Sequence, residues 1–209
     1  MKTIHLLQQN FIAQWGNFSN HNDMTEVIED SLLSPWTLTA KKSTFNCPIF
    51  QVFEKKYTHP LDHRSGNFYV LDLADWVQVI ALTPENKLIL VRQFRFGTET
   101  FSLETPGGLI DRGENPLAAG LRELREETGY ISPNAHLLTT IYPNPATQNN
   151  RLHIIVAENC QKIDGQRLDP NEEITCSMAS FPECLNKIRS GEINHAIAIA
   201  TLLIYQLFI

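Results

Sequence analysis

Apolar and polar residues alternate in short runs along most of this chain from Trp36 onward. WTLTAKKSTF, PIFQVFEKKYT and NFYVLDLADWVQVIALT are rich in β-branched and aromatic residues and predict strands, with a turn-rich break at His59 to Asn67. Pro84-Glu85-Asn86-Lys87 predicts a hairpin turn, so WVQVIALT and KLILVRQFRF are expected to pair. HLLTTIYP and RLHIIVAENC read as further strands, separated by the loop Asn144 to Asn150. Elsewhere the period lengthens. Leu117, Leu121 and Leu124 recur at helical spacing and are expected to face a core, after a capping Asn115 and a first-turn Pro116 and before a terminating Gly129. Phe181 to Ser190 and Ile193 to Ile209 predict two closing helices, separated by Gly191. Shorter helices are suggested by FIAQW and MTEVIEDSLL near the start. Strands mixed with a few helices predict an α/β fold whose sheet is covered on both sides.

Composition narrows the class. At 209 residues the chain exceeds one domain of common size. The expected division is an N-terminal extension at 1–33, a β subdomain at 34–73 and a catalytic core at 74–209. A hydrophobic fraction of 43% suffices for a core. The net charge of −6 argues against nucleic-acid partners, though a local cation and a few arginines still permit a small anionic substrate. Cys47, Cys160, Cys176 and Cys184 show neither CxxC nor metal spacing, which fits reduced thiols in the cytoplasm. The apolar run at the N-terminus is broken by His5, Gln8, Gln9 and Asn10, so no secretory signal is expected. AIAIATLLIYQLFI at the C-terminus is short for a membrane span and predicts a buried helix.

Residues 108–130, GLIDRGENPLAAGLRELREETGY, carry the chemistry. Glu123, Glu126 and Glu127 stand at i, i+3 and i+4, and residues so spaced share a helical face. Carboxylates crowded this way repel one another unless a cation lies between them, and hard oxygen ligands suit Mg²⁺ or Mn²⁺. Taken alone, such a run is usually a solvated face. Here it accompanies Glu114, Arg122 and a side-chain-poor loop, Pro106-Gly107-Gly108 with Gly113, whose backbone can approach a metal or phosphate closely.

That combination resembles the signature box of the Nudix hydrolases, with Gly108, Glu114, Arg122, Glu123, Glu126, Glu127 and Gly129 all in place. Tyr130 fills a hydrophobic position more often aliphatic. The resemblance implies an α/β/α sandwich with a mixed sheet and an N-terminal antiparallel β extension. It also implies metal-dependent hydrolysis of a nucleoside diphosphate linked to another moiety. Glu123 and Glu127 are then the main metal ligands, assisted by Glu126 and the Gly107 carbonyl. Arg122 would orient the carboxylates.

Outside the box, VRQFR resembles the ADP-ribose pyrophosphatases, in which the second arginine binds diphosphate. Arg92 and Arg95 fall on opposite faces of a strand, and Arg95 is the expected ligand. Glu104, Pro145 and Trp36 complete the expected substrate contacts, with Phe53 beside Trp36 as a second stacking candidate. The loop PNPATQNNRLH departs from the commoner form, and Asn150 stands where many relatives carry glutamate. In LDPNEEITC, Glu172 matches the position of a catalytic base, with Glu173 as the alternative. The expected activity is Mg²⁺-dependent cleavage of ADP-ribose or a related nucleoside diphosphate sugar by a homodimer. Two alternatives remain: hydrolysis of another nucleoside diphosphate derivative (dinucleoside polyphosphate, coenzyme A, damaged nucleotide) and non-catalytic sensing of ADP-ribose.

Overall fold

The computed structural model describes residues 33–209, and the helices expected from FIAQW and MTEVIEDSLL lie outside the described residues. An antiparallel meander comes first: β1 (Thr37–Asn46), β2 (Phe50–Thr58) and β3 (Ser65–Leu73). A four-stranded sheet follows in the order β7-β4-β10-β9, built from β7 (Gly107–Leu109), β4 (Trp76–Ala81), β10 (Leu152–Glu158) and β9 (Asn134–Ile141). A three-stranded sheet runs β12-β5-β6, with β12 at Ile174–Ser180, β5 at Lys87–Arg95 and β6 at Thr100–Glu104. Two short strands, β8 (Tyr130–Ile131) and β11 (Gln161–Lys162), pair with each other. The helices are α1 (Pro116–Thr128), α2 (Phe181–Arg189) and α3 (Ala196–Gln206).

Alternation along β4 and β10 creates two cores, one on each side of the sheet. The strands pair in parallel, Trp76 opposite Leu152 through Ala81 opposite Ala157. Ile80, Leu152, Ile154 and Val156 pack with Cys184 of α2 and with Ala198 and Leu202 of α3. Val77, Val79, Ala81, Ile155 and Ala157 pack with Ala119 and Leu124 of α1. A strand buried on both faces must be apolar at every position, and WVQVIA and LHIIVA nearly are. The result is the expected α/β/α sandwich. The loop after β9 ties the meander to this core: Leu71 N–H donates to the Thr147 carbonyl at 2.8 Å, and Leu73 N–H to Asn149 Oδ1 at 3.2 Å.

One expected pairing fails. The turn at Pro84 to Lys87 forms, with Asn86 N–H donating to the Thr83 carbonyl at 2.9 Å and Asn86 at φ 57°. Yet β4 and β5 share only an isolated bridge between Leu82 and Leu88. Both strands are central in their own sheets, β4 between β7 and β10 and β5 between β6 and β12, so their edges are already satisfied. The turn therefore hands the chain from one sheet to the other.

Helix α1 is capped as its sequence predicts. Asn115 Oδ1 accepts from Leu117 N–H at 2.9 Å, and Gly129 closes the helix at φ 75°. Its buried face differs from the leucine stripe: Ala119, Gly120, Leu124, Glu127 and Thr128 are buried, whereas Leu121 is half-buried. Close packing is the reason. A Cβ on Gly120 would sit 2.9 Å from Ile155 Cγ1 and 3.1 Å from Val77 Cγ2. The helix turns its smallest residues to the sheet, and this rotation carries Glu127 inward. At the C-terminus α3 buries Ala198, Thr201 and Leu202, but the three residues Leu207, Phe208 and Ile209 beyond it are exposed, contrary to a wholly buried terminus. No helix among the described residues is long and apolar enough to cross a membrane.

Replacing Gly120 with valine should lever α1 off the sheet. Overpacking of this kind destabilises by about 1–3 kcal/mol, which thermal unfolding would read as a drop of roughly 2–4 °C per kcal/mol. An unchanged Tm would show that α1 does not pack as described.

Candidate active site

The loop into α1 lies against the helix because it lacks side chains where the two approach. A Cβ on Gly107 would collide with the Val77 carbonyl, and one on Gly108 would lie 2.6 Å from the Glu123 carboxyl carbon. This closeness lets Gly107 N–H donate to Glu127 Oε2 at 2.9 Å. Glu127 is only 3% exposed. Burial raises its carboxyl pKa to about 8, the charges of Glu123 and Glu172 add to the rise, and the Gly107 amide and Arg95 offset it in part. Glu123 is shifted upward for the same first reason, burial, against the attraction of Arg122.

Arg122 binds the outer carboxylates. Its Nε donates to Glu114 Oε1 at 3.0 Å and its Nη2 to Glu114 Oε2 at 2.9 Å. Its Nη1 reaches Glu123 Oε1 at 2.8 Å and Glu126 Oε2 at 3.1 Å, and Nη2 also meets the Leu109 carbonyl at 3.1 Å. Among the described residues no three His, Cys, Asp or Glu side chains already converge on a single metal-sized point. The donor chemistry nevertheless fits a hard divalent cation. Glu123 and Glu127 are carboxylates whose charged forms are penalised by burial, and Glu126 stands half-exposed beside them. A divalent cation held among them would relieve that penalty.

A second surface comes from β5, β6, the loop before β12 and the start of α3. A cleft of about 1720 Å³ is lined there by Arg95, Ser102, Glu172, Glu173 and His195. Register explains which arginine enters: Arg95, Gln93 and Val91 lie opposite Thr100, Ser102 and Glu104, so these share one face of the hairpin. Arg95 Nε and Nη2 donate to Glu104 Oε1 and Oε2 at 2.7 and 2.6 Å, a forked pair. Arg92 lies on the other face, its guanidinium 5.1 Å from the Phe101 ring centroid. Glu104 is fully buried and reaches the cleft through Arg95 and the adjacent His195. Burial alone would raise its pKa, but the bonded Arg95 and the nearby His195 ring outweigh that and hold it at about 2.

Glu172 and Glu173 both line the cleft, and they differ in their neighbours. The charge of Glu172 contributes to the shifts of Glu123, Glu127 and Arg95, which sets it within electrostatic reach of all three. Its Oε2 accepts from Asp169 N–H at 3.2 Å, which braces the loop. Trp36 and Pro145 stand away from this cleft. Trp36 packs edge-on against His59 and Phe68, at 5.3 and 5.8 Å between centroids, and Pro145 sits in the exposed turn tied to β3. Phe53 lies under Lys41, whose Nζ is 3.7 Å from its ring centroid. His195 was not among the expected site residues. Its only signal in the sequence was a histidine where a helix start favours Ser, Thr, Asp or Asn.

The profile of the NUDIX domain matches residues 74–197. The chain belongs to the Nudix family. As a Nudix hydrolase it acts on pyrophosphate bonds. It is 33% identical over 158 residues to an ADP-ribose pyrophosphatase of Bacillus subtilis, covering 75% of this chain and 85% of that one. Similarity to the ADP compounds hydrolase NudE of Escherichia coli is 29% over 103 residues, 48% of this chain and 55% of that protein. An ADP-ribose pyrophosphatase of Saccharomyces cerevisiae is 33% identical over 111 residues, 48% of its length. The crystal structure of an ADP compounds hydrolase superposes with a TM-score of 0.74 at 20% identity, covering 84% of this chain and 95% of that one, a likeness of fold.

The buried Glu127 makes stability depend on pH and cation together. Below about pH 4.5 both folded and unfolded chains of this Nudix hydrolase hold the proton, and no penalty arises. Between about 4.5 and 8 the unfolded chain releases it while the fold resists, so stability falls as pH rises. Metal-free protein should therefore lose Tm across this window, and millimolar Mg²⁺ at pH 8 should restore it. Glu127→Gln should flatten both responses. A Glu127→Gln protein with an unchanged Mg²⁺-dependent Tm shift would remove Glu127 from the cation site.

Proposed function

We propose that this Nudix hydrolase is a Mg²⁺-dependent diphosphatase of ADP-ribose or a related nucleoside diphosphate sugar, releasing a nucleoside monophosphate and a sugar phosphate. The observation that carries this reading is the juxtaposition of Arg95 and Glu172 in one cleft beside the buried carboxylates of α1. The similarity to proteins named ADP-ribose pyrophosphatase and ADP compounds hydrolase supports the substrate class.

Arg95 spends Nε and Nη2 on Glu104, which fixes the guanidinium plane and leaves its other N–H group for diphosphate oxygens. Glu123, Glu126 and Glu127, with the Gly107 carbonyl, would hold Mg²⁺, or Mn²⁺ as a substitute. When bound, the cation supplies neutralisation of the diphosphate charge and a lowered pKa for the attacking water. Arg122 positions Glu123 and Glu126 and stays off the substrate. Glu172, exposed and engaged only with its own loop, takes the proton from the attacking water as its oxygen bonds one phosphorus of the diphosphate and the bond from that phosphorus to the bridging oxygen breaks, the other half of the substrate leaving as a phosphate.

We also propose a homodimer formed through β1–β3. Every residue of β1 is exposed, and Leu38, Phe45, Ile49, Phe68 and Tyr69 present apolar surface on this meander. A three-stranded sheet so open gains its stability from a second surface. Trp36 and Phe53, carried on the same meander, would then approach a cleft across the subunit boundary. The free thiols of Cys47, Cys160, Cys176 and Cys184 support a reducing, cytoplasmic setting.

Incubating a panel of nucleoside diphosphate derivatives with Mg²⁺ and weighing the products tests the substrate class. ADP-ribose should give AMP and ribose 5-phosphate, whereas tight binding without turnover would make the protein a sensor. Glu172→Gln should lower kcat by roughly 10²–10⁴ with little change in KM, while Glu173→Gln should be mild. The reverse ranking would move the base by one residue. Light scattering should give twice the chain mass, and deletion up to Asp75 should leave a monomer with weakened substrate affinity. A fully active monomer would remove the dimer.

A further inference from the structure

We propose that His195 is a positioning residue for substrate binding, holding the Glu104 carboxylate and through it the Arg95 guanidinium. This rests on the reading of Arg95 as the diphosphate ligand and adds what keeps that arginine in place.

His195 precedes α3 and occupies its N-cap position, but its side chain makes no capping hydrogen bond. Histidine is a weak choice for a cap. The helix gains little from this ring, and the ring points elsewhere: Nδ1 lies 3.2 Å from Glu104 Oε2. In this structure the ring is out of line for a hydrogen bond to Oε2, and Nδ1 has no other partner among the described residues. An ionised carboxylate only accepts, so a protonated Nδ1 needs a small turn of the ring to donate to it. The same Oε2 also receives Arg95 Nη2 at 2.6 Å, while Oε1 receives Nε at 2.7 Å. Glu104 thus has the donors of Arg95 on the β5 side and a ring nitrogen within reach at the start of α3.

Backbone contacts hold the ring where it is. The buried Ile193 anchors the approach to α3, its N–H donating to the Lys187 carbonyl at 3.0 Å. The carbonyl of His195 receives Ile199 N–H at 3.0 Å, the first turn of the helix. A fully buried carboxylate needs every available donor, and losing one loosens the other. Without His195, Glu104 can turn and Arg95 swings with it. Because His195 and Arg95 line the same cleft, the consequence falls on substrate affinity rather than on the proton transfer at Glu172.

The test is steady-state kinetics on the full chain with ADP-ribose and Mg²⁺, in a double-mutant cycle with Arg95. His195→Ala should raise KM by roughly tenfold and change kcat far less, the size expected when a hydrogen bond to a charged group is lost. His195→Asn, whose Nδ2 occupies the place of the ring Nδ1, should recover most of the affinity, and His195→Gln should not. In an Arg95→Ala background, adding His195→Ala should change KM no further, because the effect travels through Arg95. Fully additive effects, or a KM that His195→Ala leaves unchanged while Arg95→Ala raises it, would overturn the proposal and leave the role of Arg95 standing. If Arg95→Ala itself leaves KM unchanged, the reading of Arg95 falls, and this proposal with it. Thermal melts of each variant separate these results from loss of fold.

Discussion

The structure is organised around a carboxylate that it buries. Glu127 sits at 3% exposure with one backbone N–H as its bonded partner, and burial of an acid favours its neutral form. Several features that look independent follow from this one. The glycines at 107 and 108 are required so that the loop can close over the helix. Gly120 and Ala119 are required so that α1 can sit low enough to bring Glu127 beneath that loop. The two-sided core of β4 then supplies the rigid floor, since Val77 and Val79 pack under α1 while Ile80 packs under α3. A less rigid floor would let the carboxylate relax toward water and lose the very property that attracts a cation.

Much of this was legible in the sequence where the signal is local. The cap at Asn115 and the stop at Gly129 depend on residues within a turn or two of one another, so spacing alone reveals them. The strands were legible too, because alternation and β-branching are properties of a single segment. Their partners were not. WVQVIALT and KLILVRQFRF look like a hairpin because a good turn joins them, but pairing is decided by whichever edges remain free once all strands have assembled. The same blindness affected the helix. Leucines at 117, 121 and 124 suggested one face, and only the sheet opposite shows that small side chains, not large ones, make the closest contact.

Site residues divided along the same line. Parity along a strand is local, so Arg92 and Arg95 could be assigned to opposite faces, and they do lie on opposite faces of the β5–β6 hairpin, whereas the choice of Arg95 between them came from resemblance. Trp36 and Pro145 were chosen by resemblance, and within one chain they lie on the meander and its tether, away from the cleft. His195 was invisible because its meaning comes from Glu104, which is ninety-one positions earlier and silent until the fold brings them within 3.2 Å.

The β5–β6 surface and the α1 carboxylates handle charge in opposite ways. On the β5–β6 side an acid is neutralised within the protein: Glu104 is held ionised, at about pKa 2, by Arg95 and His195. That group is electrically settled, and under the proposed function it would offer a substrate an arginine of fixed orientation rather than a large net field. On the α1 side the acids outnumber the bases, because Arg122 is shared among Glu114, Glu123 and Glu126 and none of it reaches Glu127. A diphosphate brought against that surface alone would be repelled. In the proposed reaction a divalent cation would answer the carboxylates and the phosphates together, so the same excess that is costly to the protein alone would favour the complex with metal and substrate. Arg95 would then need only to fix direction. Glu172 within electrostatic reach of this excess fits the same proposal: its field would add to the pull on the cation, and its exposure would leave it free to take a proton from water.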